Sequence, residues 1–340
     1  MADDASRKRT VRGRKITASR EQKATRKSKK DLARKSPSGD RNGDSLLSDP
    51  KAVVPEPFVE TDAVESLQER ITGWLEADQP VHLIGPTGSG KTALALSAAA
   101  NRGRPVVRLN GDEAIDTASL VGTHAGGERY EESDQFVSGV SKKTEIVREQ
   151  WVDNPLSVAV REGATLVYNE FSRSDPTAHN VLLSVFEEGV LERPGKRGED
   201  RTIDVHPEFR AILTSNDVEY AGVHEQQDAL LDRFVGVHVG FYDDETEREI
   251  VASHVDLPAD DIDTVVATTR ALRDELEIAV GTRTAITAAA GLAVFDGHDA
   301  DGEFDDETLS NVFTDVLAPK IAGEGGGDID ELRSRIAETI

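Results

Sequence analysis

The 340-residue chain contains no cysteine, and its one methionine is Met1. Disulfides, thiolate metal sites and cysteine nucleophiles are thereby excluded together, which is compatible with a reducing interior. Aromatic residues make up only 5% of the sequence. No run of about 18 apolar residues occurs, so a membrane-spanning helix is not expected. No hydrophobic leader follows Met1, and the expected location is the cytoplasm or a peripheral attachment within it. The histidines lack metal-ligating spacing: there is no H-E-x-x-H, and His179, His206, His224 and His238 stand apart. No serine nucleophile elbow is present either.

Charge is abundant but divided. The whole chain carries 40 Lys+Arg against 64 Asp+Glu, a net of −24. Residues 1–45 alone hold 15 basic and 6 acidic side chains, so the remaining 295 residues hold 25 and 58 and carry −33. That acidic body has six lysines: Lys51, Lys91, Lys142, Lys143, Lys196 and Lys320. Dispersed like charges repel in dilute buffer, but the Debye length shrinks to about 3 Å at 1 M salt. The pattern reads as adaptation to a salty cytoplasm, with an ordinary acidic surface as the plainer account.

Four segments are expected. Residues 1–50 are a basic arm without apolar periodicity, too poor in burial to order itself. The arm could attract nucleic acid or an acidic partner, or be tethered to the acidic body of its own or a neighbouring subunit, and it has no aromatics to stack on bases. Residues 51–243 form an α/β domain, 244–320 a small all-helical domain, and 321–340 a linker with a C-terminal helix. The proline-bearing stretch 51–57 reads as a hinge or an extended approach. A helix follows to Glu76, capped by Thr61 or Asp62, with Val64, Leu67, Ile71, Trp74 and Leu75 at core-like spacing. Apolar runs at 81–84, 105–109, 165–168, 209–214 and 235–239 supply five strands for a three-layer parallel sheet. Helices are expected over 93–100 and, beyond Tyr242, over 245–255, 260–277, 283–294 and 306–317. Residues 111–139 read as an insertion or specialised loop with short helices, and 190–205 as a hairpin with a charged tip at 194–200.

The strongest chemical signal is Gly85-Pro86-Thr87-Gly88-Ser89-Gly90-Lys91-Thr92, a full match to G-x-x-x-x-G-K-[ST] between a strand and a helix. Glycines let the backbone wrap phosphate oxygens, and the helix start offers unpaired N–H groups to the anion. Lys91 supplies charge for the outer phosphates and Thr92 a ligand for Mg²⁺. At the end of the run 165–168, Asn169 is placed to orient magnesium-bound water and Glu170 to activate the attacking water. An aspartate is usual where Asn169 stands. Its absence removes a negative charge beside the metal and points to slow or conditional hydrolysis.

Other candidates carry open alternatives. Asn216, ending another strand, could orient the lytic water or contact the γ-phosphate, or serve as a turn former. Arg233 could reach an adjoining subunit's nucleotide, or pair with Asp232 or another neighbour. Arg283 could report phosphate occupancy to the helical domain, or be a surface helix-end arginine. Arg173 is either an intersubunit group or a structural one, and His124 belongs to a functional loop or to ordinary loop chemistry.

The phosphate loop together with 168–173, 214–222 and 230–234 resembles the AAA+ nucleoside triphosphatases, within them the MoxR branch, and most closely its gas vesicle members from halophilic archaea. The resemblance spans roughly residues 55–318. It implies that Gly85–Thr92 is Walker A, Asn169-Glu170 Walker B, Asn216 sensor 1, Arg233 the arginine finger and Arg283 sensor 2. It further implies ATP and Mg²⁺ as cofactors, and a homo-oligomer for which six copies is one candidate number. Gas vesicle accessory or shell proteins are the implied partners, with location in the cytoplasm or on the vesicle. The acidic body argues against nucleic acid as substrate. A nucleotide-regulated module with little turnover, and a DNA-associated remodeller using the basic arm, are the alternatives.

Overall fold

The computed structural model describes residues 46–134, 142–216, 228–276, 278–295, 304–323 and 328–340. The basic arm up to residue 45, residues 135–139 of the expected insertion, and 217–222 lie outside them. In chain order the strands are β1 (Val81–Gly85), β2 (Val106–Asn110), β3 (Gly122–Asp134), β4 (Lys142–Asp153), β5 (Thr165–Asn169), β6 (Val190–Glu192), β7 (Thr202–Asp204), β8 (Arg210–Asn216) and β9 (Val235–His238). Five of them form one parallel sheet in the spatial order β2-β5-β8-β1-β9.

The helices are α1 (Pro50–Val53), α2 (Asp62–Glu76), α3 (Lys91–Asn101), α4 (Thr117–Val121), α5 (Pro155–Glu162), α6 (Asn180–Glu187), α7 (Asp228–Leu231), α8 (Asp244–His254), α9 (Ala259–Glu275), α10 (Thr282–Leu292), α11 (Asp306–Gly323) and α12 (Ile329–Thr339). Alternate strand residues feed opposite faces of the sheet, as a period of two requires. Leu166, Tyr168, Ala211 and Leu213 join one core with α5 and α6. Val167 and Ile212 join the other with Val64 and Ile71 of α2 and Leu94 and Ala98 of α3. Three layers result; the central strands β1, β5 and β8 are buried on both sides, whereas the edge strands β2 and β9 are not, with Arg108, Gly236 and His238 exposed. Helices α8 to α12 share a separate core around Val265, Leu272, Phe313 and Ile336. The fold is therefore a three-layer α/β P-loop domain followed by a helical unit.

Three sequence expectations are corrected. Residues 111–139 are largely not loop: after the short α4, β3 and β4 pair as a long antiparallel hairpin. Its base docks on the expected hairpin β6–β7 through Trp151. That ring meets His124 edge-on at 5.1 Å, and His124 Nε2 lies 2.9 Å from the Gly195 carbonyl. The second correction concerns Trp74, which is 42% exposed. The buried stripe of α2 is Val64, Gln68, Ile71 and Leu75, and Gln68 occupies it because its amide donates to Ser97 Oγ at 2.6 Å. The 51–57 approach, third, begins as α1, capped by Asp49 and anchored by buried Val53.

Candidate functional site

β1 ends at Gly85 and the chain enters α3 at Lys91. Gly88 and Gly90 take φ of +86° and +83°, a left-handed pair that any side chain would oppose. The start of α3 offers unpaired N–H groups and the positive end of a helix dipole. Lys91 is buried inside the loop and donates to the carbonyls of Gly85 at 2.9 Å and Pro86 at 2.6 Å. Ser89 Oγ is fully buried and has no hydrogen-bond partner among the described residues. Buried hydroxyls are nearly always paired, so a loop with this orphan and this cation fits a phosphate group.

The ends of β5 and β8 close on the same point. Asn169 Oδ1 accepts from Thr92 Oγ1 at 2.6 Å and from Thr214 Oγ1 at 2.8 Å, while its Nδ2 donates to Asn110 Oδ1 at 3.4 Å. Thr92 spends its proton on Asn169, which leaves its oxygen lone pairs available to a hard cation. Glu170 adopts φ +51°, unusual for a non-glycine residue and held by its N–H, which donates to Thr214 Oγ1 at 3.0 Å. Its carboxylate is taken by Arg173, whose Nη1 donates to Oε2 at 2.8 Å. That hydrogen bond and the carboxylate's charge raise the Arg173 pKa. Behind this turn the buried Tyr168 hydroxyl donates to Ser174 Oγ at 2.9 Å and lies 3.3 Å from His179 Nε2. Burial pushes the Tyr168 phenol up to about 12.

Asn216 stands beside Gly85 in the β1–β8 register. Arg283, the second residue of α10, arrives from the helical unit: a Cβ placed on Gly88 would be 3.8 Å from its Cβ. Arg233 is the exception. It precedes Val235, which pairs with Val81 at the opposite end of β1 from Gly85. Four strand steps of about 3.3 Å separate that end from the phosphate loop. There Arg233 Nε donates to Glu187 Oε1 at 2.7 Å, so it faces away from its own loop.

Sequence reasoning missed several neighbours of the site. Thr214 and Asn110 look like unremarkable strand residues, and only the sheet register brings them to Asn169. A cavity of about 230 Å³ adjoins Gly88, Ser89 and Gly90; its apolar walls include Pro57, Phe58, Tyr242, Ile250 and Ile286. Burial pushes the Tyr242 phenol up to about 12. The two prolines of the approach segment, Pro55 and Pro57, were the one available signal for this wall.

A phosphate loop at the carboxyl edge of a parallel sheet, with a polar strand end beside it and an arginine-bearing helical unit against it, defines a P-loop ATPase of the AAA class. The AAA domain family (dynein-related subfamily) matches residues 80–234. Over 99% of its length the chain is 53% identical to Gas vesicle ATPase GvpN2 of Halobacterium salinarum, covering 97% of that protein. It is 52% identical to Gas vesicle ATPase GvpN of Haloferax mediterranei, over 99% of this chain and 97% of that one. Against Gas vesicle ATPase GvpN of Ancylobacter aquaticus the identity is 41%, over 80% and 77%. The chain belongs to the gas vesicle ATPase GvpN family. Its acidic body agrees with the haloarchaeal sources of the first two relatives. Among the described residues no helix is long and apolar enough to cross a membrane.

Proposed function

We propose that the protein is an ATP-driven remodeller in gas vesicle formation that acts on vesicle assembly or shell proteins from the cytoplasm or the vesicle surface. The observation that carries this reading is the meeting of Lys91, Thr92, Asn169, Glu170 and Asn216 at one edge of the sheet, with Arg283 facing them from the helical unit. The loop 85–92 holds the triphosphate, and the apolar cavity beside Gly88 takes the base. Thr92, with Asn169 behind it, is the place for Mg²⁺, which would neutralise charge on the outer phosphates. Glu170 takes the proton of the attacking water and Asn216 orients that water. Arg283 contacts the outer phosphate and links its presence to the helical unit.

Turnover in an isolated protomer is slow on this account, for two reasons. The Glu170 carboxylate is occupied by Arg173, and must leave it to act as a base. Arg233 lies at the wrong edge for its own site and serves the site of a neighbouring copy, so a ring-like homo-oligomer is the active form. The neutral Asn169 favours a second reading, in which nucleotide state regulates binding and little ATP is consumed. Phosphate release in molar KCl with millimolar Mg²⁺ separates the two: Glu170→Gln should bind ATP and lose turnover. Full turnover in that variant removes Glu170 from catalysis, whereas a wild-type rate no higher than that of Lys91→Ala favours the regulatory module. A nucleotide-dependent pull-down at native salt from vesicle-producing cells identifies the client.

A further inference from the structure

Glu247, in the first turn of α8, is 1% exposed and has a full set of partners. Its Oε1 accepts from Arg273 Nη2 at 2.7 Å and Thr282 Oγ1 at 2.9 Å. Its Oε2 accepts from Arg270 Nη1 at 3.0 Å and Arg273 Nη1 at 3.2 Å. The two arginines extend the cluster. Arg273 Nε donates to the Val280 carbonyl at 2.7 Å and its guanidinium lies 4.0 Å from the Phe241 ring centre. Arg270 Nη1 also reaches the Tyr242 carbonyl at 3.1 Å. A carboxylate this deeply buried persists only when paired and hydrogen-bonded. Here it joins α8, α9, the start of α10 and the 241–242 connection from the sheet.

What lies on the other side of Thr282 gives the cluster a second task. A Cβ on Gly281 would fall 2.8 Å from the Thr87 carbonyl oxygen and 3.0 Å from that of Gly88. Only a glycine backbone can sit that close to the phosphate loop. The turn 280–283 is therefore held between the loop on one side and Glu247 on the other, and Arg283 is the next residue along. The Gly281 backbone thus packs on the Thr87 and Gly88 carbonyls, and the adjacent Thr282 hydroxyl is bonded to Glu247.

We propose that Glu247 is a positioning residue for the ATPase reaction: through Thr282 it sets the turn that carries Arg283 against the phosphate loop and makes α8 and α9 move with it. The inference rests on the assignment of loop 85–92 and Arg283 to the nucleotide. It adds a physical link between the loop and the helices: the 280–283 turn packs on the loop and is hydrogen-bonded to Glu247 through Thr282 and to Arg273 through the Val280 carbonyl, and the Thr282 bond is the one that reaches Glu247 directly.

Thr282→Val tests the link, because it removes the hydroxyl and leaves both arginine pairs of Glu247 in place; Thr282→Ser restores it. Glu247→Gln is the harsher change, since the guanidiniums of the largely covered Arg273 and the part-exposed Arg270 then face a neutral amide. Hydrogen exchange on the full chain in molar KCl, with and without a non-hydrolysable ATP analogue and Mg²⁺, reads the coupling by segment. In the unaltered chain the analogue should slow exchange at 86–92, at 280–284 and at 244–250. In Thr282→Val the slowing at 86–92 should persist while that at 244–250 is lost, and Thr282→Ser should recover it. In steady-state assays Thr282→Val should lower kcat at least about fivefold with KM within about twofold. Undiminished protection of 244–250 in Thr282→Val overturns the link while leaving the nucleotide site intact. Fast exchange throughout the helical unit of Thr282→Val before any nucleotide is added overturns it as well, since the bond is then only structural. If the unaltered chain shows no protection at 86–92, the nucleotide assignment itself fails and the link falls with it.

Discussion

Replacing Thr214 by valine keeps the side chain's shape and takes away its oxygen. Thr214 is 1% exposed, and its hydroxyl donates to Asn169 Oδ1 at 2.8 Å while accepting the Glu170 N–H at 3.0 Å. Asn169 keeps Thr92 as a donor, so the first loss should cost about 0.5–1.5 kcal/mol, an ordinary net hydrogen bond. The Glu170 N–H loses its acceptor beside a buried strand, which costs about 1–3 kcal/mol. Because valine leaves no cavity, destabilisation of about 1.5–4.5 kcal/mol is expected in all. Activity should suffer separately. A left-handed non-glycine conformation costs about 1–2 kcal/mol, and the lost bond is one of those holding Glu170 in it. A displacement of the carboxylate by about 1 Å is worth up to about 100-fold in rate. Urea unfolding in molar KCl reads the first effect and phosphate release at saturating ATP the second. Thr214→Ser is the control: it loses a methyl, worth about 1 kcal/mol, and should keep its turnover. If Thr214→Val lost less than about 0.5 kcal/mol and retained kcat, the idea that this hydroxyl supports the Glu170 turn would be refuted.

Lys91→Ala removes charge-assisted hydrogen bonds worth about 1.5–3 kcal/mol, so ATP affinity by calorimetry should fall about 10- to 100-fold; equal affinity would take Lys91 out of the site. Arg233→Ala breaks a pair in which Arg233 is 47% and Glu187 39% exposed. Its unfolding midpoint should therefore shift by less than about 1 kcal/mol, while turnover of the assembled protein drops by about 10³-fold. A fully active Arg233→Ala would leave only the ion pair as its role. His82 is buried with Nε2 2.7 Å from Ser215 Oγ, and desolvation lowers its pKa from 6.5 to about 4. Between those values the unfolded chain holds the extra proton. Stability present above pH 6.5 is then lost as pH falls toward 4, up to a ceiling of about 3 kcal/mol. The loss between pH 7 and 4.5 should be smaller in His82→Gln; an equal decline in both chains contradicts the assignment.

Much of the framework was legible because its signals are local. A short apolar run followed by Gly85–Thr92 specifies strand, loop and helix within a dozen residues, and the five sheet strands announce themselves as short apolar runs. The helices after Tyr242 show the apolar spacing of a shared core. The β3–β4 hairpin carries no such mark: its arms are rich in Glu, Lys and Arg and lack the alternation that a half-buried strand displays. Trp74 misled because helical spacing alone does not say where a buried stripe ends. By itself the sequence determined the phosphate loop, the strand-end Asn169 and Glu170, and the order of sheet and helices. Tertiary structure alone decided that Thr214 and Asn110 meet Asn169, that Arg173 holds Glu170, that Arg233 faces away from its own loop, and that Glu247 stands behind Arg283. The first group follows from contacts between near neighbours in the chain. The second depends on register and packing between distant segments, which no local pattern of residues encodes.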